Sequence, residues 1–197
     1  MKHYFLYLFI LLVYSCDGDK PKGSMNVEIV PLRYLSKSAI GISINNGTVF
    51  LEGEKFSGYL VQLSPAGNDT IALEGYVNGL LSGGSKKWFS NRQLMEERYY
   101  RQGRKNGKQV AFWPNGNKRF EFFAKDDGYE GELREWNVNG QLFHLGNFLN
   151  GQENGSQKMW YENGKIRANY VIIDGKRYGL LGTKNCKNVS DSIFVVR

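Results

Sequence analysis

The chain has 197 residues, with 26 Lys and Arg against 19 Asp and Glu, for a formal net charge of +7. That length allows one domain or two small ones, and 41% hydrophobic residues with 23% charged ones exclude a wholly disordered chain. Twenty-four Gly against four Pro, with 14% aromatics, predict short strands joined by tight turns and argue against a helical bundle, where Gly is costly.

In chain order, Met1-Lys2-His3 precedes an apolar run from Tyr4 to Tyr14. One basic residue followed by an apolar stretch has the form of a secretory signal. The run is shorter than the roughly 20 residues a spanning helix needs. It closes on Val13-Tyr14-Ser15-Cys16, and the polar segment from Asp17 to Ser24 reads as part of a flexible tether over residues 16–24. Val-x-Ser-Cys resembles a bacterial lipobox, although Tyr14 is bulkier than that pattern usually has. The resemblance implies loss of residues 1–15 as a lipoprotein signal peptide and lipid attachment at Cys16. Two or three acyl chains would anchor it stably. Asp17 and Asp19 resemble surface-export signals of Bacteroidota lipoproteins. The expected location is the bacterial cell envelope, lipid-anchored at the outer membrane on its periplasmic or surface face. The competing reading is an ordinary cleaved signal with an incidental Cys.

Residues 25–57 read as an N-terminal strand and capping unit. Val27 to Val30 has strand character and Pro31 interrupts it, while Asn46-Gly47 marks a turn in a unit shorter than those that follow. From residue 58 the chain repeats. Gly58, Gly83, Gly107, Gly131, Gly155 and Gly179 are spaced by 25 and then four times by 24. Apolar anchors follow the first five at a fixed offset: Leu63, Trp88, Phe112, Trp136 and Trp160. Four residues further on stand Gly67, Arg92, Gly116, Gly140 and Gly164, so only Arg92 breaks the series. The pairs Asn78-Gly79, Asn106-Gly107, Asn115-Gly116, Asn139-Gly140, Asn150-Gly151, Asn154-Gly155, Asn163-Gly164, Asp127-Gly128 and Asp174-Gly175 fit type I′ hairpin turns, where both central residues take positive φ. Between turns the apolar residues alternate, as in Phe120, Phe122 and Ala124 or Ala168, Tyr170 and Ile172. The expected fold is all-β: an elongated antiparallel array of about five 24-residue hairpin units over residues 58–182. Trp88, Phe112, Trp136 and Trp160 are its structural anchors, expected to stack unit on unit. A closing loop and strand occupy residues 183–197, with Ser192 to Val196 as the strand.

Segments such as Gly155-Ser-Gln-Lys-Met-Trp160-Tyr-Glu-Asn-Gly164-Lys-Ile and Asp174-Gly175-Lys-Arg-Tyr-Gly179 resemble the MORN-repeat variant of the YwqK-type antitoxin family. The resemblance runs from about Gly58 to Gly182. It implies an elongated, single-layered or rolled β-sheet, a MORN-like meander, and an antitoxin-like role.

Little in the sequence points to chemistry. His144 lies at an apolar-face strand position beside Leu142 and Phe148 and reads as a spacer. Cys186, flanked by Lys184 and Lys187, is a candidate reactive thiol, weighed against a small buried residue. The pairs Glu52/Glu54, Glu96/Glu97 and Asp126/Asp127 are not set across a cleft, since strand neighbours point to opposite faces. Gly79 to Lys87 is glycine-rich but leads into a strand, so it reads as a bulge or longer turn carrying the one-residue insertion. Arg98, Arg101, Arg104, Lys105, Lys108, Lys118 and Arg119 make the middle of the chain basic. An exported protein rarely meets nucleic acid, so an acidic lipid or a protein partner is the better expectation. The sum is a non-enzymatic interaction platform without metal or cofactor. The alternatives are a toxin-neutralising repeat protein and a thiol-dependent envelope accessory protein using Cys186.

Overall fold

The computed structural model describes residues 28–182. The signal over 1–15, Cys16, the tether, Cys186 and the closing segment 183–197 lie outside the described residues. Among the described residues there are fifteen strands and no helix. They are β1 (Tyr34–Ser36), β2 (Ile42–Asn45), β3 (Thr48–Leu51), β4 (Glu54–Lys55), β5 (Gly58–Leu63), β6 (Thr70–Val77), β7 (Leu80–Trp88), β8 (Leu94–Arg101), β9 (Arg104–Phe112), β10 (Lys118–Lys125), β11 (Gly128–Trp136), β12 (Leu142–Leu149), β13 (Gln152–Trp160), β14 (Ile166–Ile173) and β15 (Lys176–Leu180).

Strands β5 to β15 follow one another as a continuous antiparallel meander, and β1 adds to β5 to make a sheet of twelve. Two kinds of turn alternate along it. On one margin the turns have two residues, and in each both take positive φ: Asn78-Gly79, Gln102-Gly103, Asp126-Asp127, Asn150-Gly151 and Asp174-Gly175. That backbone twist matches the twist of the flanking strands. The first four of these turns are also tied back to the chain just past the turn before. The N–H groups of Gly79, Gly103, Asp127 and Gly151 donate to the carbonyls of Phe56, Leu81, Lys105 and Tyr129 at 2.7–3.0 Å. On the other margin the loops are wider, and Asn side chains cross between them. Asn91 Nδ2 donates to Pro114 O at 3.0 Å, and Asn115 Nδ2 to Val138 O at 2.8 Å.

Three local expectations change. Gly128 opens β11, and the turn falls on Asp126-Asp127, whose short acidic side chains tolerate positive φ. Asn115-Gly116, Asn139-Gly140 and Asn163-Gly164 lie in the wider loops with only the Gly at positive φ, and Asn106-Gly107 and Asn154-Gly155 lie inside β9 and β13, not at hairpin turns. The glycine series there serves a bulge. Between Arg98↔Gln109 and Tyr100↔Lys105 one strand advances by two residues and its partner by four, and the same happens on β7, β11 and β13. Gly83, Gly107, Gly131 and Gly155 take positive φ at these bulges. Third, the four bulges skip alike, so the insertion behind the 25-residue spacing is not in the Gly79–Lys87 segment. It lies in the loop between β5 and β6, residues 64–69, one residue longer than the loops 89–93, 113–117, 137–141 and 161–165. A surface loop absorbs an extra residue, whereas a bulge that must keep register does not.

A bulge leaves a backbone carbonyl of the facing strand without its ladder partner. In two cases a fully buried glutamine supplies one. Gln109 Nε2 donates to Tyr99 O at 2.8 Å, and Gln157 Nε2 to Asn147 O at 2.6 Å. Gly146 makes room for the second, because a Cβ there would sit 2.5 Å from Gln157 Oε1.

The N-terminal residues build a cap. No strand forms over residues 28–30; the edge strand is β1, and it pairs with β5 in parallel. Strands β2, β3 and β4 form a separate small antiparallel sheet whose first hairpin turns at Asn46-Gly47. It packs on one face of the large sheet, where Val49, Phe56, Leu60 and Tyr76 form a buried cluster with Leu35, Ile42, Leu51 and Leu81 around it. That face is called inner below. Two smaller buried clusters continue along it, Phe122–Ala124–Leu133 and Ala168–Tyr170–Ile172.

The cap joint sets the first testable expectation. A Cβ at Gly79 would lie 2.6 Å from Thr48 Cγ2 and 2.8 Å from Val49 O, whereas one at Gly164 meets nothing. Both glycines take positive φ. Gly164→Ala should therefore cost only backbone strain, about 1 kcal/mol, and Gly79→Ala about 2 to 4 kcal/mol. Thermal unfolding of the two variants measures the difference.

Candidate functional site

The inner face carries a strip of charged and aromatic side chains set across neighbouring strands. Lys37 donates to Glu74 at 2.9 Å, and Tyr76 Oη donates to the same carboxylate oxygen at 3.1 Å. Next along, Glu96 accepts from Lys87 at 2.9 Å and from Arg98 at 2.8 Å. The Arg98 guanidinium lies 5.2 Å from the centre of the Phe120 ring. Phe120, Phe122, Tyr129 and Phe148 then pack ring to ring at 4.6–5.6 Å. Further on, Glu135 meets His144 Nδ1 at 2.7 Å, and Glu153 accepts from Tyr170 at 3.1 Å and Arg177 at 2.9 Å.

These groups are partly desolvated, and their ionisation reflects it. Burial pushes the Tyr76 hydroxyl well up, and the neighbouring Glu74 carboxylate adds to the rise. Burial likewise raises Tyr100 and Tyr170. Burial alone would raise Glu96, but the hydrogen bonds from Lys87 and Arg98 outweigh it and hold the carboxyl below its ordinary value. The same bond to Glu96 holds the Lys87 ammonium above its own.

On the outer face, cross-strand ion pairs cover the sheet. Lys86 meets Glu97 at 3.2 Å, and Glu121 takes both Lys108 and Lys118. Those two hydrogen bonds, Lys118's the stronger, hold Glu121 low against its partial burial. Across the two faces, the basic middle of the chain is thus interleaved with carboxylates from its own strands and from neighbouring strands and turns. Arg98 pairs with Glu96, Arg101 with Asp126 and Arg104 with Asp127, while Arg119 lies 4.9 Å over the Trp113 ring. Beyond this ladder the outer face exposes apolar side chains on alternate strands and the last one: Tyr99 on β8, Phe123 on β10, Phe143 and Leu149 on β12, Ile173 on β14, Tyr178 and Leu180 on β15. Their placement follows from alternation with the inner-face residues Arg98, Phe122, His144, Phe148 and Ile172, and from the pairing of β15 with β14.

The anchors sit at the wide-turn margin. Trp88, Phe112, Trp136 and Trp160 are the last residues of β7, β9, β11 and β13, and all are half-buried. Their neighbours differ. Trp88 lines a groove of about 540 Å³ with Ile71, Phe89 and Met95, bordered by the Asp69–Arg92 ion pair at 2.7 Å. Arg92 stands at a positive-φ position that the other units give to Gly. Trp160 lines a groove of about 270 Å³ with Leu142, Phe143 and Tyr161. Trp136 has the Lys118 ammonium 5.6 Å from its ring centre, and its carbonyl accepts from Trp113 Nε1 at 3.0 Å. The rings that pack strand upon strand are those of Phe120, Phe122, Tyr129 and Phe148.

Glu96 and Glu97 point to opposite faces, toward Lys87 and Lys86 respectively. Asp126 and Asp127 sit together in a turn, each toward its own arginine. Among the described residues no three His, Cys, Asp or Glu side chains come together as a metal ion would require. Three buried polar atoms, Gln109 Oε1, His144 Nε2 and Gln157 Oε1, have no hydrogen-bond partner. Sequence reasoning passed over Gln109 and Gln157, although both stand two residues after a glycine of the repeat. Neither a protein-family model nor a curated protein matches the chain.

The strip predicts an asymmetric pH response. Glu96 is held below its ordinary value near 4.5, so its stabilisation is present above that value and is lost as pH falls through the folded-state one. Lys87, Tyr76 and Tyr100 are raised, so their contribution is present below about pH 10 and is lost above it. Melting temperature measured from pH 3 to 11 should fall at both ends. In Glu96→Gln the acid-side fall should flatten; an unaltered acid limb would place that sensitivity elsewhere.

Proposed function

We propose that this is a non-enzymatic, lipid-anchored cell-envelope protein whose repeat sheet serves as an interaction platform for a protein or acidic lipid. Its sheet is built of about five 24-residue MORN-like units. The two-residue turns begin at Asn78, Gln102, Asp126, Asn150 and Asp174, at even steps, which supports that unit. The anchor reading rests on the Cys16 motif in the sequence.

The observation that carries the platform reading is the exposed apolar series on the outer face. A scattered exposed Leu needs no explanation, but apolar side chains recurring along one face of a sheet mark an association surface. Tyr99, Phe123, Phe143, Leu149, Ile173, Tyr178 and Leu180 recur in this way on β8, β10, β12, β14 and β15, and Phe123, Ile173 and Tyr178 are each more than half exposed. The cross-strand pairs Lys86–Glu97 and Lys108–Glu121 leave the middle of that face near neutral. This favours a protein over an acidic lipid as occupant of the apolar stretch.

A photocrosslinking residue introduced at Phe123, Phe143 or Tyr178 in the membrane-anchored protein should give discrete protein adducts in intact cells. The same residue at the exposed Gly67, in the loop between β5 and β6, should give none. Equal labelling at all four positions, or lipid adducts alone, would remove the protein-platform reading.

A further inference from the structure

The most exposed apolar side chains of the described chain are not on the repeat sheet. Ile40 is 100% exposed, Ile29 86% and Leu32 83%; the exposed large apolar residues outside this N-terminal end reach at most 57%. All three fall within the first thirteen described residues, directly after the tether. They stand on held backbone. Val30, between Ile29 and Leu32, is buried. A Cβ on Gly75 or Gly83 would come within 3.1 or 2.8 Å of its Cγ2. Glu28 accepts from Ser82 at 2.7 Å and from Gln102 at 3.2 Å, and Arg33 N–H donates to Pro31 O at 2.8 Å. The Ile40 loop is closed by Ala39 N–H to Ser36 O at 2.9 Å and Ile42 N–H to Ala39 O at 3.2 Å, and joined to the cap by Glu52 N–H to Gly41 O at 2.8 Å.

Fully exposed aliphatic side chains on fixed backbone are costly in water and gain when an apolar medium takes them up. The chain preceding them fixes which medium is near. Fully extended, the residues between Cys16 and Glu28 span at most about 40 Å, so an acylated Cys16 keeps this end of the sheet beside the bilayer. We infer that Ile29, Leu32 and Ile40 seat the N-terminal end of the sheet, β1 with its neighbours β5 to β7, in the interfacial layer of the membrane, fixing the orientation of the array on its anchor. This rests on acylation of Cys16. The occupant is the bilayer surface itself. At about 4.8 Å per strand the twelve strands extend roughly 50 Å, so seating the β1 end carries the far strands, with Ile173 and Tyr178, toward the aqueous side.

The test uses the full chain purified with its lipid and reconstituted into vesicles of zwitterionic and anionic phospholipid, in a Cys186→Ser background. A polarity-sensitive fluorophore is attached at Ile40→Cys, at Leu32→Cys or, as the distal position, at Tyr178→Cys. Ile40 and Leu32 are almost wholly exposed and Tyr178 is 52% exposed, so a probe at each position reaches solvent. Doxyl groups in the lipid should quench the probes at 40 and 32 about twofold or more, with a blue shift, and leave the probe at 178 unaffected. Mass spectrometry of the N-terminal peptide reads acylation separately. An acylated protein that floats with the vesicles while the probes at 40 and 32 stay in water overturns the inference and leaves the anchor standing. A blue shift that appears only with added envelope proteins overturns it in favour of a protein occupant. An unacylated Cys16 overturns the anchor reading and this inference together.

Discussion

At one margin of the sheet the first four two-residue turns each give their second amide N–H to a carbonyl just past the turn before, from Gly79 to Phe56 and onward to Gly151 and Tyr129. The remainder of the structure depends on that link. A two-residue turn needs positive φ at both positions, which restricts it to Asn, Asp and Gly with few exceptions, Gln102 being one. Linking successive turns then fixes how far each hairpin is displaced from the last. The bulges on β7, β9, β11 and β13 reconcile that displacement with the ladder between strands, and the glutamines at 109 and 157 take up carbonyls the bulges release. Local turn chemistry and long-range order are thus one constraint, as expected where each unit touches only its neighbours.

Much of this was legible in the sequence. The glycine spacing, the Asn-Gly pairs and the alternation of Phe120, Phe122 and Ala124 lead to the meander without further help. What misled was a chemical ambiguity: Asn-Gly serves a bulge as well as a turn, since both require a residue at positive φ. Only pairing partners separate Asn150-Gly151 in a turn from Asn154-Gly155 within β13. The cap was less legible. Its strands are two to four residues long, too short for alternation to register, and the parallel pairing of β1 with β5 depends on a contact between segments far apart in sequence. The candidate site divides in the same way. The basic middle of the chain was visible as composition, but several of its carboxylate partners, Glu121 for Lys108 and Asp126 and Asp127 for Arg101 and Arg104, arrive from other strands and turns. A linear reading finds the charge of Arg101 and not the Asp126 that answers it.

The two faces divide the work of stability and surface. The cap and the clusters around Phe122 and Tyr170 place apolar burial on the inner face. Pairs such as Lys87–Glu96–Arg98 are shielded enough there to shift in ionisation. The outer face relies on exposed ion pairs, each worth little, and so can carry apolar side chains at small structural cost. Solubility then rests on the charged residues between them.

The Glu28 clamp has a mechanical consequence. Its carboxylate grips Ser82 on β7 and Gln102 in the turn that follows β8, so a pull arriving through the N-terminal chain is taken up inside the sheet and bypasses the three-residue edge strand β1. A load on β1 would peel it from β5 one hydrogen bond at a time. A load entering at Glu28 is shared among paired strands that must slip together, and the weakest ladder of the array is spared from carrying it.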